Sequence, residues 1–190
     1  MSLNLNIWLH NNPYDKKSEA KPHSDAILQQ LLQNTLNTSK PVEIFKNTNG
    51  KPYINEPIYF SHSNSQNLYA YVISSAAEVA IDLEFMKPQR DVMKLASRHF
   101  HADEWLELKR TPSENRTLKF YQWWTKKEAW CKLDGGNLWN YLNRSVLATN
   151  SIKTQQGNLI QMAQINGIDG FAGMVACTQD INRIWINNIA

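Results

Sequence analysis

The chain has 190 residues, with 20 Lys and Arg against 17 Asp and Glu for a net charge of +3 and a pI near 8.8. That length supports a real core in one large domain or two small ones, and 42% hydrophobic content is that of a folded protein. The mild positive balance favours acidic or phosphorylated partners and falls short of a nucleic-acid footprint.

Leu3, Leu5, Ile7 and Leu9 alternate with polar residues or Trp8, which predicts an opening strand. No basic region followed by an apolar run is present there, so no signal peptide is expected. No stretch approaches the length of a membrane-spanning helix. The segment NNPYDKKSEAKPH is turn-rich and basic, which predicts an exposed loop. Ser24 then reads as an N-cap with Asp25 in the first turn, and Ile27, Leu28, Leu31, Leu32 and Leu36 follow at helical spacing. NTNGKPYINEP is a second turn cluster, and IYFSHS and LYAYVISS are short β-like runs. In EVAIDLEF, Val79, Ile81, Leu83 and Phe85 share one strand face, with Ala80, Asp82 and Glu84 on the other.

Pro88 ends that strand, and a helical pattern covers Asp91 to Arg110. Ser113 with Glu114 opens a second helix, which carries FYQWWTKKEAWCK and closes at Gly135-Gly136. NLIQMAQI, GFAGMVAC and INRIWINN read as strands. The order strand, basic loop, helix, strands thus occurs before residue 77 and again after it, although the residues do not repeat. That order permits an α+β protein of two similar halves, 1–76 and 77–190. Cys131 and Cys177, without CxxC or zinc-type spacing, predict free thiols in a reducing compartment and hence a cytoplasmic protein.

Asp82 and Glu84 project from the same strand face, where two carboxylates repel unless a cation or a proton lies between them. A hard cation such as Mg²⁺ suits such oxygens; a solvated strand face is the alternative. Trp124, Glu128 and Lys132 lie along one side of their helix, either as a metal and phosphate site or as an i,i+4 salt bridge on a wet face. NGKP presents Lys51 from a tight turn, and FSHS supplies Ser61 and His62, groups suited to a terminal phosphate. No Gly-rich phosphate loop and no GxSxG are present.

In order and spacing, GKP (50–52), SHS (61–63), AIDLE (80–84) and WTKKEAWCK (124–132) resemble the 4′-phosphopantetheinyl transferase family, in its longer single-chain, surfactin-synthetase form. The family's pattern there is Gly-(Ile/Val)-Asp-(Ile/Leu)-Glu followed roughly forty residues later by Trp-x-x-Lys-Glu-(Ala/Ser)-x-x-Lys. LASRHFHADEW also resembles a helix segment of the family, with His99 where an aromatic is usual, and GFAGMVAC its late core strand. Ala80 stands where the family has Gly. The N-terminal third lacks the family's arginine-rich segment, for which Lys16, Lys17 and Lys21 are the candidate substitutes.

The resemblance implies a pseudo-dimer with coenzyme A in the cleft between its halves. It implies Asp82, Glu84 and Glu128 as Mg²⁺ ligands, and Lys132 on the pyrophosphate. Lys51, Ser61 and His62 would take the 3′-phosphate and adenine end, and Glu128 would be the candidate general base. Lys127 belongs to the motif without an assigned role. The implied reaction moves the 4′-phosphopantetheine arm to a serine of an acyl or peptidyl carrier protein, by a monomer with no nucleic-acid or membrane partner. Two alternatives stand beside it: a catalytically silent homologue that binds coenzyme A or a carrier, and a Trp-rich single-strand binder.

Overall fold

The computed structural model describes residues 2–148 and 152–189. Along the chain run β1 (Leu3–Asn11), α1 (Lys17–Leu36), β2 (Phe45–Lys46), β3 (Pro52–Tyr53), β4 (Tyr59–Ser65), β5 (Leu68–Ser74) and β6 (Val79–Phe85). Then follow α2 (Val92–His99), α3 (Ala102–Arg110), α4 (Ser113–Asp134), α5 (Trp139–Leu142), β7 (Gln161–Ile165), β8 (Phe171–Cys177) and β9 (Ile181–Ile189). The α+β class read from the sequence is what the chain adopts.

Two sheets dominate, ordered β4-β5-β1-β9 and β6-β8-β7, with β2 and β3 forming a small hairpin of their own. All pairs in the two large sheets are antiparallel except β1 with β9, which is parallel. β1-β5-β4 and β6-β8-β7 share one connectivity: a strand, a helical segment, then two strands of which the later sits in the middle. β9 crosses back from the C-terminal part of the chain to add to the first sheet.

Strand alternation builds the layers. Leu5, Ile7, Leu9, Leu68, Ala70 and Val72 from the first sheet meet Val79, Ile81, Leu83, Val175 and Cys177 from the second in one buried cluster. The opposite face of the first sheet, through Tyr71 and Ile73, packs on Ile27, Leu28 and Leu32 of α1. The opposite face of the second, through Ala80, Ala172, Met174 and Ala176, packs on the helices that follow, α4 above all. Helix, sheet, sheet, helix is the order of layers. Ala80, in place of the family's Gly, is fully buried in ordinary extended backbone, where its methyl is simply part of the core.

Two expectations are corrected. α1 begins at Lys17, not at Ser24, so most of the basic segment is helical rather than loop. Pro22 lies inside it, where the missing N–H forfeits a single helical bond near the N-terminus. Ser24 caps nothing: it is buried, with its Oγ 2.8 Å from Tyr71 Oη on β5. The single helix read over 91–110 is two. Phe100 is extended and stacks on Phe120, ring centroids 4.9 Å apart. His101 then opens α3 with a capping box: its ring accepts from the Asp103 N–H, and Glu104 accepts from the His101 N–H.

Lys127, to which the motif gave no role, lies in the core. Its ammonium and the Glu104 carboxylate, both 0% exposed, stand 2.8 Å apart. Lys127 also donates to the Arg144 carbonyl, and Glu104 Oε1 accepts from the Val146 N–H at 2.8 Å. Burial pushes the Lys127 pKa down, and the Glu104 charge opposes that shift. One ion pair thus ties α4 to α3 and to the segment after α5.

Removing one partner of a buried, hydrogen-bonded pair strands the other charge. Lys127→Met is expected to lower unfolding stability by ~3 kcal/mol in urea titration. At the end of α4, Gly135 has φ +64°, and a Cβ there would lie 2.9 Å from Asn47 Nδ2. Gly135→Ala should therefore lose ~1–2 kcal/mol in the same assay.

Candidate functional site

The face of β6 that carries Ala80 also carries Asp82 and Glu84, so both carboxylates point to the side where α4 packs. Asp82 is only 3% exposed, which rules out a solvated strand face for it. Lys132 reaches across from α4: its Nζ donates to Asp82 Oδ1 at 2.7 Å, Ser63 Oγ at 2.9 Å and the Ile81 carbonyl at 3.1 Å. The salt bridge is therefore between α4 and β6. Among the described residues Lys132 makes no i,i+4 bridge to Glu128.

Asp82 Oδ2 is buried and has no hydrogen-bond partner among the described residues. The Glu84 carboxylate accepts from Ser65 Oγ at 3.0 Å. Burial first, then the Asp82 charge, raises the Glu84 pKa. Glu128 is pushed up to about 7, by burial first, then by Asp82 and Glu84, with Lys132 opposing. The three carboxylates thus share one electrostatic field, which the Lys132 ammonium opposes. Among the described residues no three His, Cys, Asp or Glu side chains are arranged as a group that could hold a metal ion.

Glu128 and Lys132 open on a cleft of ≈ 1070 Å³, at the large end for a small-molecule site. Its other walls come from α1, the β2–β3 turn and β4. Five lysines line it, Lys17, Lys21, Lys46, Lys51 and Lys132, against Asp15, Asp25 and Glu128. Cations therefore outnumber anions on its walls, as suits a polyanionic occupant.

Lys51, Ser61 and His62 all line this cleft with Glu128 and Lys132. Lys51 Nζ donates to the Leu133 carbonyl in the last turn of α4, and burial pushes its pKa down. Ser61 Oγ accepts from the Ile81 N–H at 3.2 Å. His62 is an exposed residue on the cleft wall, and desolvation by the surrounding protein, then the Lys132 charge, lowers its pKa. Lys17 and Lys21 lie on the cleft wall and Lys16 does not. Trp124 packs against the core around Phe100 and Phe120, with the Arg90 guanidinium over its ring at 5.6 Å.

Two groups escaped the sequence reading. Ser63 and Ser65 hold the β6 carboxylates, and the alternation of serines at 61, 63 and 65 was their only signal. Glu104 pairs Lys127, and its capping-box spacing from His101 was visible but gave no hint of that partner.

Residues 78–170 match the family model of the 4′-phosphopantetheinyl transferase superfamily. This segment belongs to that superfamily. It holds Asp82, Glu84, Lys127, Glu128 and Lys132, whereas Lys51, Ser61 and His62 precede it.

The 4′-phosphopantetheinyl transferase HetI of Nostoc sp. is 30% identical over 59% of this chain and 50% of its own length. The 4′-phosphopantetheinyl transferase AcpT of Escherichia coli K12 is 31% identical over 60% of this chain and 58% of its own. For psf-1 of Bacillus pumilus, also named a 4′-phosphopantetheinyl transferase, the figures are 36%, 46% and 37%. The chain spans about half the length of the curated relatives it matches. Among the described residues no helix is long and apolar enough to cross a membrane.

His62 offers a direct check on the cleft. Its folded pKa lies below the ordinary 6.5, so just below that pH the unfolded chain binds more protons than the folded one. The His62 contribution to stability should therefore fall as pH drops through that window. An NMR titration should place its midpoint under 6.5, and His62→Gln should flatten the pH dependence of the denaturation midpoint there.

Proposed function

We propose that this chain transfers the 4′-phosphopantetheine arm of coenzyme A to a serine of an acyl or peptidyl carrier protein, giving holo-carrier and 3′,5′-ADP. In this reading it is a single-chain enzyme of the surfactin-synthetase type. What carries the reading is a lysine-lined cleft onto which Glu128 and Lys132 open, with Lys132 bonded to Asp82 and the Glu128 carboxylate raised by the charges of Asp82 and Glu84. The shared connectivity of β1-β5-β4 and β6-β8-β7 supports two related halves, 1–76 and 77–190 with β9 returned to the first, and the cleft between them.

The donor set fits a hard divalent cation. All the candidate atoms are oxygens, Asp82 Oδ2 has no protein partner, and the Glu84 and Glu128 carboxylates are each raised by burial and neighbouring negative charge. Asp82, Glu84 and Glu128 would hold Mg²⁺. When bound, it supplies charge neutralisation at the pyrophosphate and the leaving group. Lys132 Nζ, already anchored by Ser63 and Asp82, faces the same phosphates. Lys51, Ser61 and His62 take the 3′-phosphate and adenine end, with Lys17 and Lys21 adding positive charge from α1.

The nucleophile belongs to the carrier. Its serine oxygen attacks the phosphorus that bears the pantetheine arm, and the bond to the bridging pyrophosphate oxygen breaks. 3′,5′-ADP leaves with the electron pair. Glu128, with no hydrogen bond to the protein among the described residues, is the candidate to take the serine proton. Positioning and electrostatics do most of the work in such a transfer. Carrier proteins are generally acidic, so a net charge of +3 assists the encounter. A cytoplasmic monomer, with no nucleic-acid or membrane partner, completes the proposal.

A binder without turnover is the second reading. An N-terminal third without the family's arginine-rich segment favours it. Incubation with Mg²⁺, coenzyme A and apo carrier proteins decides. The carrier's intact mass should rise by one phosphopantetheine, and Glu128→Gln should slow this ~100-fold or more while coenzyme A binding is largely kept. No mass gain across several apo carriers would overturn the transferase reading and leave the binder.

A further inference from the structure

β4 and β6 lie side by side in different sheets, and what joins them is serine hydroxyls. Ser61 Oγ accepts from the Ile81 N–H at 3.2 Å, Ser63 Oγ from Leu83 at 3.2 Å and Ser65 Oγ from Phe85 at 2.9 Å. Each of these hydroxyls stands where a strand carbonyl would stand in a continuous sheet, and each still has a proton to place.

The remaining contacts settle where two of those protons go. Ser63 Oγ also receives Lys132 Nζ at 2.9 Å, and an ammonium only donates. With both acceptor positions taken, Ser63 must donate, and its acceptor is Asp82 Oδ1 at 2.9 Å. Ser65 accepts from Phe85 and donates to Glu84 Oε2 at 3.0 Å. Asp82 Oδ1 thus receives Ser63 and Lys132, while Oδ2 is buried without a partner. A buried carboxylate oxygen left unpaired is costly unless a cation or proton meets it.

We propose that Ser63 and Ser65 are positioning residues: each hydroxyl clamps one oxygen of the adjoining β6 carboxylate and holds the other oxygen free for a divalent cation. Neither serine touches the cation; both act through the carboxylate rotamer. This inference rests on the reading of Asp82 and Glu84 as cation ligands. Ser61 makes the same bond to β6 and no carboxylate contact, so it separates the joining of the strands from the positioning.

The test is Mn²⁺ binding to the folded protein without coenzyme A, read from the electron paramagnetic resonance of free Mn²⁺. Unfolding midpoints are measured alongside. Wild type should bind one Mn²⁺, and Ser63→Ala and Ser65→Ala should each weaken it ~10-fold or more. Ser65→Thr keeps the hydroxyl and should restore affinity. Ser61→Ala should lower the unfolding midpoint with little change in Mn²⁺ affinity. Should Ser63→Ala fail to fold, the Ser65 pair decides alone. Wild type that binds no Mn²⁺ would overturn the metal reading itself. Wild type that binds it, with both alanine variants unaltered, would overturn the positioning role and leave the metal reading standing.

Discussion

Lys132 places one ammonium where β4, β6 and α4 meet, and the candidate site depends on that contact. Three acceptors surround it: the Asp82 carboxylate, the Ser63 hydroxyl and the Ile81 carbonyl. A carboxylate as buried as Asp82 is held in place by a counter-charge and a hydrogen bond together. The same contact fixes the C-terminal half of α4 against the strands and so sets the cleft wall. Chemistry and tertiary structure share the same few atoms here.

The charged centre of FYQWWTKKEAWCK divides its labour by helical face. Phe120, Tyr121, Trp123, Ala129 and Trp130 are core residues, as their types suggest. Lys127 turns inward with them and is neutralised by Glu104, so its role is to join α4 to α3 rather than to meet a ligand. Glu128 and Lys132 turn to the cleft. Adjacent positions on a helix point about 100° apart, which is why Lys127 and Glu128 can serve opposite purposes.

The cleft carries charges of both signs. At the α4 end, carboxylates crowd one another and Glu128 is pushed up to about 7. Towards α1 and the β2–β3 turn the wall is dominated by lysines. Asp15 and Asp25 stand among those lysines, so a polyanion lying along the cleft would meet both signs of charge with lysine in excess.

Period-2 alternation in β1 and β6, the β-like runs of β4, β5 and β8, and the Gly135 stop of α4 were legible because each is a local pattern with a local cause. The start of α1 was misread because Ser24, a good N-cap by type, is engaged by Tyr71 from a strand far along the chain. The break between α2 and α3 was missed because Phe100 leaves the helix to stack on Phe120. β9 read as a strand, but its pairing with β1, at the other end of the sequence, was not legible.

The amino-acid order alone therefore determined which side chains share a face: Asp82 with Glu84, and Glu128 with Lys132. It could not say that the two faces meet, that Lys132 chooses Asp82 over Glu128, or that Ser63 and Ser65 stand behind the carboxylates. Those are contacts between residues roughly 20 to 70 apart in sequence. Strand and helix periodicity specifies direction within an element, whereas which elements face one another is set by how all the apolar faces are buried at once.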